Sequence, residues 1–358
     1  MRTLRAGLLA VALLAAIAAG GGWWVWQRLQ APYQGFEGAE RFVEIPQGTS
    51  TGAIGRRLAE AGVVPDTWTF RAAVWWTGRA RALKAGEYRF EGLATPIDVV
   101  TQIAEGRVYS RALTFPEGLT LAEMAALFES RGFGSREDFL KAASDPSLIK
   151  DLAPSARDLE GYLFPETYLL ERTATAAQLV GRMVDRFRAV WAEVTAGQAP
   201  EDLTPHQIVA LASLVEKETA APKERPLIAA VYRNRLRAGM AMQADPTVVY
   251  ALMRAGRYAG NIRKVDLTID SPYNTYRFPG LPPGPIAAPG RAALEAALTP
   301  ADVRYLYFVS RNDGSHAFSA TLTEHNANVQ RFQIEYFQRA RATAKPTTAS
   351  PRSSTARR

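Results

Sequence analysis

The chain has 358 residues, 47% of them hydrophobic, which suits about two folded domains and excludes global disorder. It contains no cysteine, so disulfides, thiolate metal sites and cysteine nucleophiles are excluded. The formal charge of +8 suits a polyanionic partner, but no zinc-finger, helix-turn-helix or RNA-recognition signature supports nucleic acid.

At the N-terminus, Arg2 and Arg5 precede an uncharged apolar run over residues 6–26. As a helix at ~1.5 Å per residue this run is roughly 31 Å long, enough to cross a bilayer. Trp23, Trp24 and Trp26 stand where an interfacial aromatic belt would stand. A cleaved signal peptide is the rival reading, since "AIA" at 16–18 resembles a cleavage site. The length of the run, and tryptophans lying beyond that site, favour an uncleaved anchor with the bulk of the chain outside the cytoplasm. Residues 1–28 are therefore read as a cytoplasmic tip and transmembrane anchor, and 29–40 as a linker.

Next come two related segments, "FVEIPQGTSTGAIGRRLAEAGVV" from Phe42 and "ALTFPEGLTLAEMAALFESRGFG" from Ala112. They align at a constant offset of 70, which pairs Pro46 with Pro116, Gly48 with Gly118 and Gly62 with Gly132. Each predicts a short strand, a Pro-x-Gly turn, a helix N-capped by Ser50 or Thr120, and a glycine stop. "KAGEYRFEG" at 84–92 adds a strand and turn. The turns read as fold punctuation or as part of a carbohydrate-binding module.

From about residue 170 the pattern is mainly helical. "TAAQLVGRMVDRFRAVWAEV" predicts one long helix. "TPHQIVALASLVEKET" predicts the next, with Thr204 as N-cap and Pro205 in the first turn. "KERPLIAAVYRNRLRAG" predicts a third, stopped at Gly239. "MAMQADPTVVYAL" and "SPYNTYRFPGLPPGPIAAPG" read as irregular, turn-rich sequence. A short helix, two strands around "NDG" and a closing helix follow, then a basic tail.

The three histidines form no HExxH motif or tight His/Asp cluster, and there is no G-x-S-x-G elbow, P-loop or dinucleotide fingerprint. No metal and no cofactor is expected, and carboxylates are left as the candidate chemistry. On a wheel at ~100° per residue, Glu218 falls about 60° from the centre of the apolar stripe of its helix, and Glu216 about 100° away. Glu218 thus continues the buried stripe at the helix's C-terminal end. Burial and the negative helix end both raise a carboxyl pKa, which prepares a general acid. The alternative is a cap or a salt bridge to Lys223 or Arg225. Downstream, Gln243, Asp245, Tyr250, Tyr273, Asn274, Thr275 and Tyr276 offer the amides, hydroxyls and rings that line sugar sites, although "DPT" is also a good helix start and "YNTY" a good turn.

The motifs "ASLVEKET", "NRLRAGMAMQADPTVVYAL", "SPYNTYRFPGLPPGPIAAPG", "YLYFV" and "HAFSATLTEHN", in this order, resemble those of the endolytic murein transglycosylase (YceG-like) family, and the resemblance covers nearly the whole chain. It implies an α+β fold: a single transmembrane helix, a small LysM-like α/β module at 41–155, and a mainly helical, lysozyme-like catalytic domain at 156–342 with a small β-element. Residues 343–358, expected to be a disordered basic tail, lie outside the family pattern. The implied protein is a single-pass inner-membrane lyase, mostly periplasmic, that cuts peptidoglycan glycan strands internally near the peptidoglycan synthases. The resemblance maps the essential glutamate of "EKET" onto Glu218. Substrate contacts are expected from Glu216, Asn234, Gln243, Asp245, Tyr250, Tyr273, Asn274, Thr275 and Tyr276, while Ala244 stands where the family pattern is polar. Glu160, Glu166 and Asp245 are possible helpers, Asp245 more simply a helix cap. A non-catalytic peptidoglycan-binding scaffold and an ordinary hydrolase are the other readings.

Overall fold

The computed structural model describes residues 2–196, 202–219 and 221–343, with backbone only for 2–8, 10 and 340–343. The fold is mixed α+β with three two-stranded sheets among the described residues. It forms two compact units, Met1–Ala112 with Leu169–Ala174, and Leu113–Tyr168 with Thr175–Arg358.

In the first unit a long helix, α1 (Arg2–Gln30), leads to β1 (Glu40–Ile45), α2 (Thr51–Glu60), α3 (Thr67–Thr77), β2 (Gly86–Glu91) and α4 (Pro96–Glu105). β1 and β2 pair antiparallel with Val43 opposite Tyr88, which gives a β-α-α-β unit. Its core gathers Leu58, Phe70, Tyr88 and Ile103, all fully buried. Leu29 joins this core, and Tyr33 bridges to Ala94, so the segment expected as a linker at 29–40 is partly built into the unit. The expected anchor run, 6–26, falls partly on side chains outside the described set. Among the described residues no helix is long and apolar enough to cross a membrane. Of the expected tail, 343–358, only Thr343 lies within the described residues.

The division between the units falls inside β3 (Arg111–Thr114) and its sheet partner β4 (Thr167–Leu170). The second unit therefore takes α5 (Leu121–Ser130) and α6 (Arg136–Ala143) together with the helices that follow. The two related segments form the expected elements at matching positions. Ser50 caps α2, and Thr120 caps α5 in a reciprocal capping box with Glu123. Gly48 and Gly118 both stand at φ 77°, and Gly62 and Gly132 at φ 73° and 70°, backbone that favours glycine.

The long helix is α7 (Ala176–Thr195). It is followed by α8 (Pro205–Glu218), capped by Thr204, and α9 (Arg225–Arg237). Every residue from Ile208 to Val215 is buried. α8 is thus a central helix packed against α9 and a short helix, α11 (Arg291–Leu298), rather than an amphipathic surface helix. Part of the stretch expected as irregular is instead a helix, α10 (Asp245–Arg254), whose Pro246 fits the first turn because no amide donor is needed there. The two strands around "NDG" form an antiparallel hairpin, β5 (Tyr307–Ser310) and β6 (His316–Ser319), with Asn312 in left-handed backbone at φ 65°. The closing helix runs as α12 (Leu322–Val329), a π-helical turn and α13 (Tyr336–Thr343).

Candidate active site

Three consecutive charged residues end α8, and each meets a different partner. The Glu216 carboxylate is 6% exposed, pairs with Arg225 at 3.2 Å and accepts the Gly290 amide at 2.9 Å. Lys217 donates to the Gly118 carbonyl at 3.0 Å. Glu218 accepts the Tyr232 hydroxyl of α9 at 2.7 Å. The salt bridge to Arg225 therefore belongs to Glu216, which leaves Glu218 with a neutral partner.

Glu218 is partly exposed by surface area, yet protein surrounds its carboxyl. Burial raises its pKa above the ordinary range. The Tyr232 hydrogen bond opposes this, nearby Asp245 adds to it, and His316 and Arg235 oppose it. Burial also holds the Tyr232 phenol far above its usual value, so it stays protonated and can donate to Glu218. The raised carboxyl and its neutral donor suit a group that keeps its proton to higher pH than an ordinary carboxyl and can release it to an acceptor.

Asp245 is exposed at the first position of α10. It is not the cap, because Ala244 occupies that position and makes no side-chain cap bond. Asp245 instead accepts the Tyr276 hydroxyl at 2.6 Å. Gln243, just before it, is exposed with φ 51°, a conformation unfavourable for a side chain with a Cβ and a frequent mark of a functional loop. Thr275 and Asn274 are buried and hold this geometry. Thr275 Oγ1 accepts the Ala244 amide at 3.1 Å, its carbonyl accepts the Gln243 amide at 3.3 Å, and Asn274 donates to the carbonyls of Leu267 and Ile269, each at 2.9 Å. Asn234 likewise donates to the carbonyls of Val303 and Tyr305, at 2.8 and 3.0 Å, so its amide secures the approach to β5.

Tyr250 and Tyr273 gather elsewhere. Tyr250 donates to buried Glu160 at 3.0 Å, and Tyr273 packs edge-on against Tyr250 with the Arg254 guanidinium over both rings. Burial pushes the Glu160 carboxyl up to about 8, and it accepts the Leu121 amide at the start of α5. Glu166 pairs with Arg186 at 2.7 Å. The tyrosines expected around one glutamate thus divide between two, with Tyr276 on the Glu218 side. A cavity of about 670 Å³ between α5, α6 and α7 holds none of the predicted site residues.

Sequence reasoning missed several neighbours of Glu218. Tyr232 is the residue that touches it, and Arg235 lies one turn farther along α9. His316 is bound by Glu224 through its Nδ1 at 2.6 Å and its backbone amide at 2.8 Å. A second loop also meets the end of α8. Glu117 lies against Gly290, 3.8 Å from Arg225, and Gly118 donates its amide to the Ala288 carbonyl at 2.8 Å. Burial and the nearby Glu216 raise the Glu117 pKa. Only the short loop from Glu218 to α9 gave any hint that the next helix would return past the glutamate; the other neighbours lie far away in sequence.

Comparison with known proteins accords with this arrangement. Residues 43–331 match the profile of the YceG-like family. An endolytic murein transglycosylase of Bacillus subtilis (strain 168) is 31% identical over 306 residues, covering 81% of this chain and 84% of that protein. A protein of the same name from Streptococcus pneumoniae (strain D39) is 29% identical over 316 residues, 80% of this chain but 57% of its own length. A 2.6 Å crystal structure of a YceG-like protein from Listeria monocytogenes is 33% identical and covers 81% of this chain and 98% of that one, with a TM-score of 0.54. The chain belongs to the YceG-like family.

Proposed function

We propose that the protein is an endolytic lytic transglycosylase that cuts the β-1,4 bond between N-acetylmuramic acid and N-acetylglucosamine within peptidoglycan strands. The observation that carries this reading is the Glu218 carboxyl, raised by burial at the end of α8 and held by the Tyr232 hydroxyl at 2.7 Å. The names of the relatives support the substrate class.

Most glycosidases set two carboxylates across the scissile bond. Here one suffices, because the nucleophile belongs to the substrate. Glu218 gives its proton to the glycosidic oxygen as the bond to C1 breaks. The C6 hydroxyl of the same muramic acid attacks C1, and its proton passes to the Glu218 carboxylate. The product is a 1,6-anhydromuramoyl end, and the enzyme regains its starting protonation state. Tyr232 steadies the carboxylate between the two transfers. Gln243, Asp245 and Tyr276 border the reacting sugars.

In the same reading, α1 anchors the chain in the inner membrane with the rest in the periplasm, near the peptidoglycan synthases. The uncharged run at 6–26 supports the anchor. The β-α-α-β arrangement of the first unit supports a LysM-like module. Mass spectrometry of digested nascent strands tests the reaction. Anhydro ends are expected; ordinary reducing ends would make it a hydrolase, and intact strands a non-catalytic scaffold.

A further inference from the structure

Within the first unit, α3 has two apolar faces. Thr69, Phe70, Ala73 and Val74 point into the core. Trp68, Trp75 and Trp76 point away from it, with 51%, 80% and 48% of their surface exposed. At about 100° per residue these three tryptophans fall within one arc of about 100°, outside the arc of the buried residues. A helix that needs only one apolar face to fold has no folding reason to carry a second made of tryptophan.

The outer face continues onto α1. The Trp24 and Trp68 rings lie 6.1 Å apart, and Arg28 joins the two helices through Asp66 at 2.6 Å and Thr69 at 3.0 Å. Trp23, Trp24 and Trp26, each more than two-fifths exposed, ring the end of the apolar run, and Trp24 joins it to the α3 cluster. Exposed Arg71 flanks the tryptophans on α3, and exposed Arg81 follows in the next turn. Position favours lipid as the occupant: the cluster adjoins the aromatic end of the apolar run on α1, and tryptophans edged with arginine suit the boundary between lipid headgroups and acyl chains.

We infer that the outer face of α3 docks on the bilayer surface beside the anchor, so that the first unit lies against the membrane instead of swinging from a tether. This inference rests on the anchor reading of α1. Both can be tested in the full chain, whose lack of cysteine allows single spin labels to be placed. Labels at Trp75→Cys in the α3 face, where the side chain is 80% exposed, Leu14→Cys in α1 and Glu60→Cys on α2 are compared in vesicles of phosphatidylethanolamine and phosphatidylglycerol. The Trp75 and Leu14 labels are expected to be accessible to oxygen and shielded from a water-soluble nickel chelate, and the Glu60 label the reverse. Adding Trp68→Ser and Trp76→Ser should return the Trp75 label to the Glu60 pattern and leave Leu14 unchanged. A lipid-exposed Leu14 label with an aqueous Trp75 label overturns the docking and keeps the anchor. An aqueous Leu14 label overturns the anchor and, with it, the docking beside the anchor. A Trp75 label shielded from both reagents means a protein covers the face, which also overturns the inference.

Discussion

The two segments related by the offset of 70 have nearly the same local geometry and different surroundings. The Pro-x-Gly loop of the first copy is open: a Cβ built on Gly48 meets nothing within 4 Å. That of the second copy is held at the end of α8, with Lys217 on the Gly118 carbonyl and Arg225 near Glu117. A further difference lies at the first helix of each copy, since α5 meets the buried carboxyl of Glu160 at its first amide. Cap and turn residues thus specify a local shape, and what the shape does depends on the charged groups packed against it.

The largest expected effect on stability comes from breaking the ion pair beside the second loop. Glu216→Gln leaves the buried Arg225 guanidinium short of its partner and should cost about 3 kcal/mol of stability in chemical denaturation. The folded fraction should keep most of its cleavage rate, because Glu216 does not touch the Tyr232–Glu218 pair.

Next is the pH dependence that only the second copy carries. The Glu160 pKa rises from 4.5 to about 8 in the folded state, so the folded chain keeps a proton that the unfolded chain releases between those values. Its contribution to stability is therefore full below about pH 4.5, declines as pH rises to about 8, and is level above that. Glu160→Gln should flatten this part of a thermal-denaturation series across pH.

Smaller, and directly comparative, are Gly48→Ala and Gly118→Ala. Both put a Cβ at φ 77° and should cost about 1 kcal/mol each. Only Gly118→Ala should also slow cleavage, because its strained backbone shifts the carbonyl that holds Lys217, the residue next to Glu218. Equal rates for the two variants would show the second loop to be as passive as the first. The smallest effects belong to the caps: Ser50→Ala and Thr120→Ala should each cost about 1 kcal/mol or less, with Thr120 the larger because its box with Glu123 is reciprocal.

What could be read from the sequence follows the same division. Ser50, Thr120, Thr204 and the paired glycines were legible because caps and left-handed turns are local. The helix at Asp245–Arg254 was obscured by the turn-prone residues before it, although Asp-Pro at its start gave the right hint. Glu218 ends α8 with its carboxyl raised by burial, but the wheel contrast behind its choice does not survive, since 208–215 are buried all round. What distinguishes Glu218 from Glu216 is the partner, tyrosine against arginine, and partners brought in by tertiary packing leave no periodic signal. Tyr250 and Tyr273 were grouped with Glu218 by sequence proximity to α10, yet the far end of that helix reaches Glu160 instead.

In the proposed reaction Glu218, and not Glu216, is the acid and base. This assignment is tested most directly by counting anhydromuramoyl ends released from nascent strands by Glu218→Gln and Glu216→Gln, normalised to folded protein. A loss of about a hundredfold to ten-thousandfold is expected for Glu218→Gln, and a far smaller loss for Glu216→Gln. Wild-type release by Glu218→Gln, or the reverse order of the two variants, would contradict it.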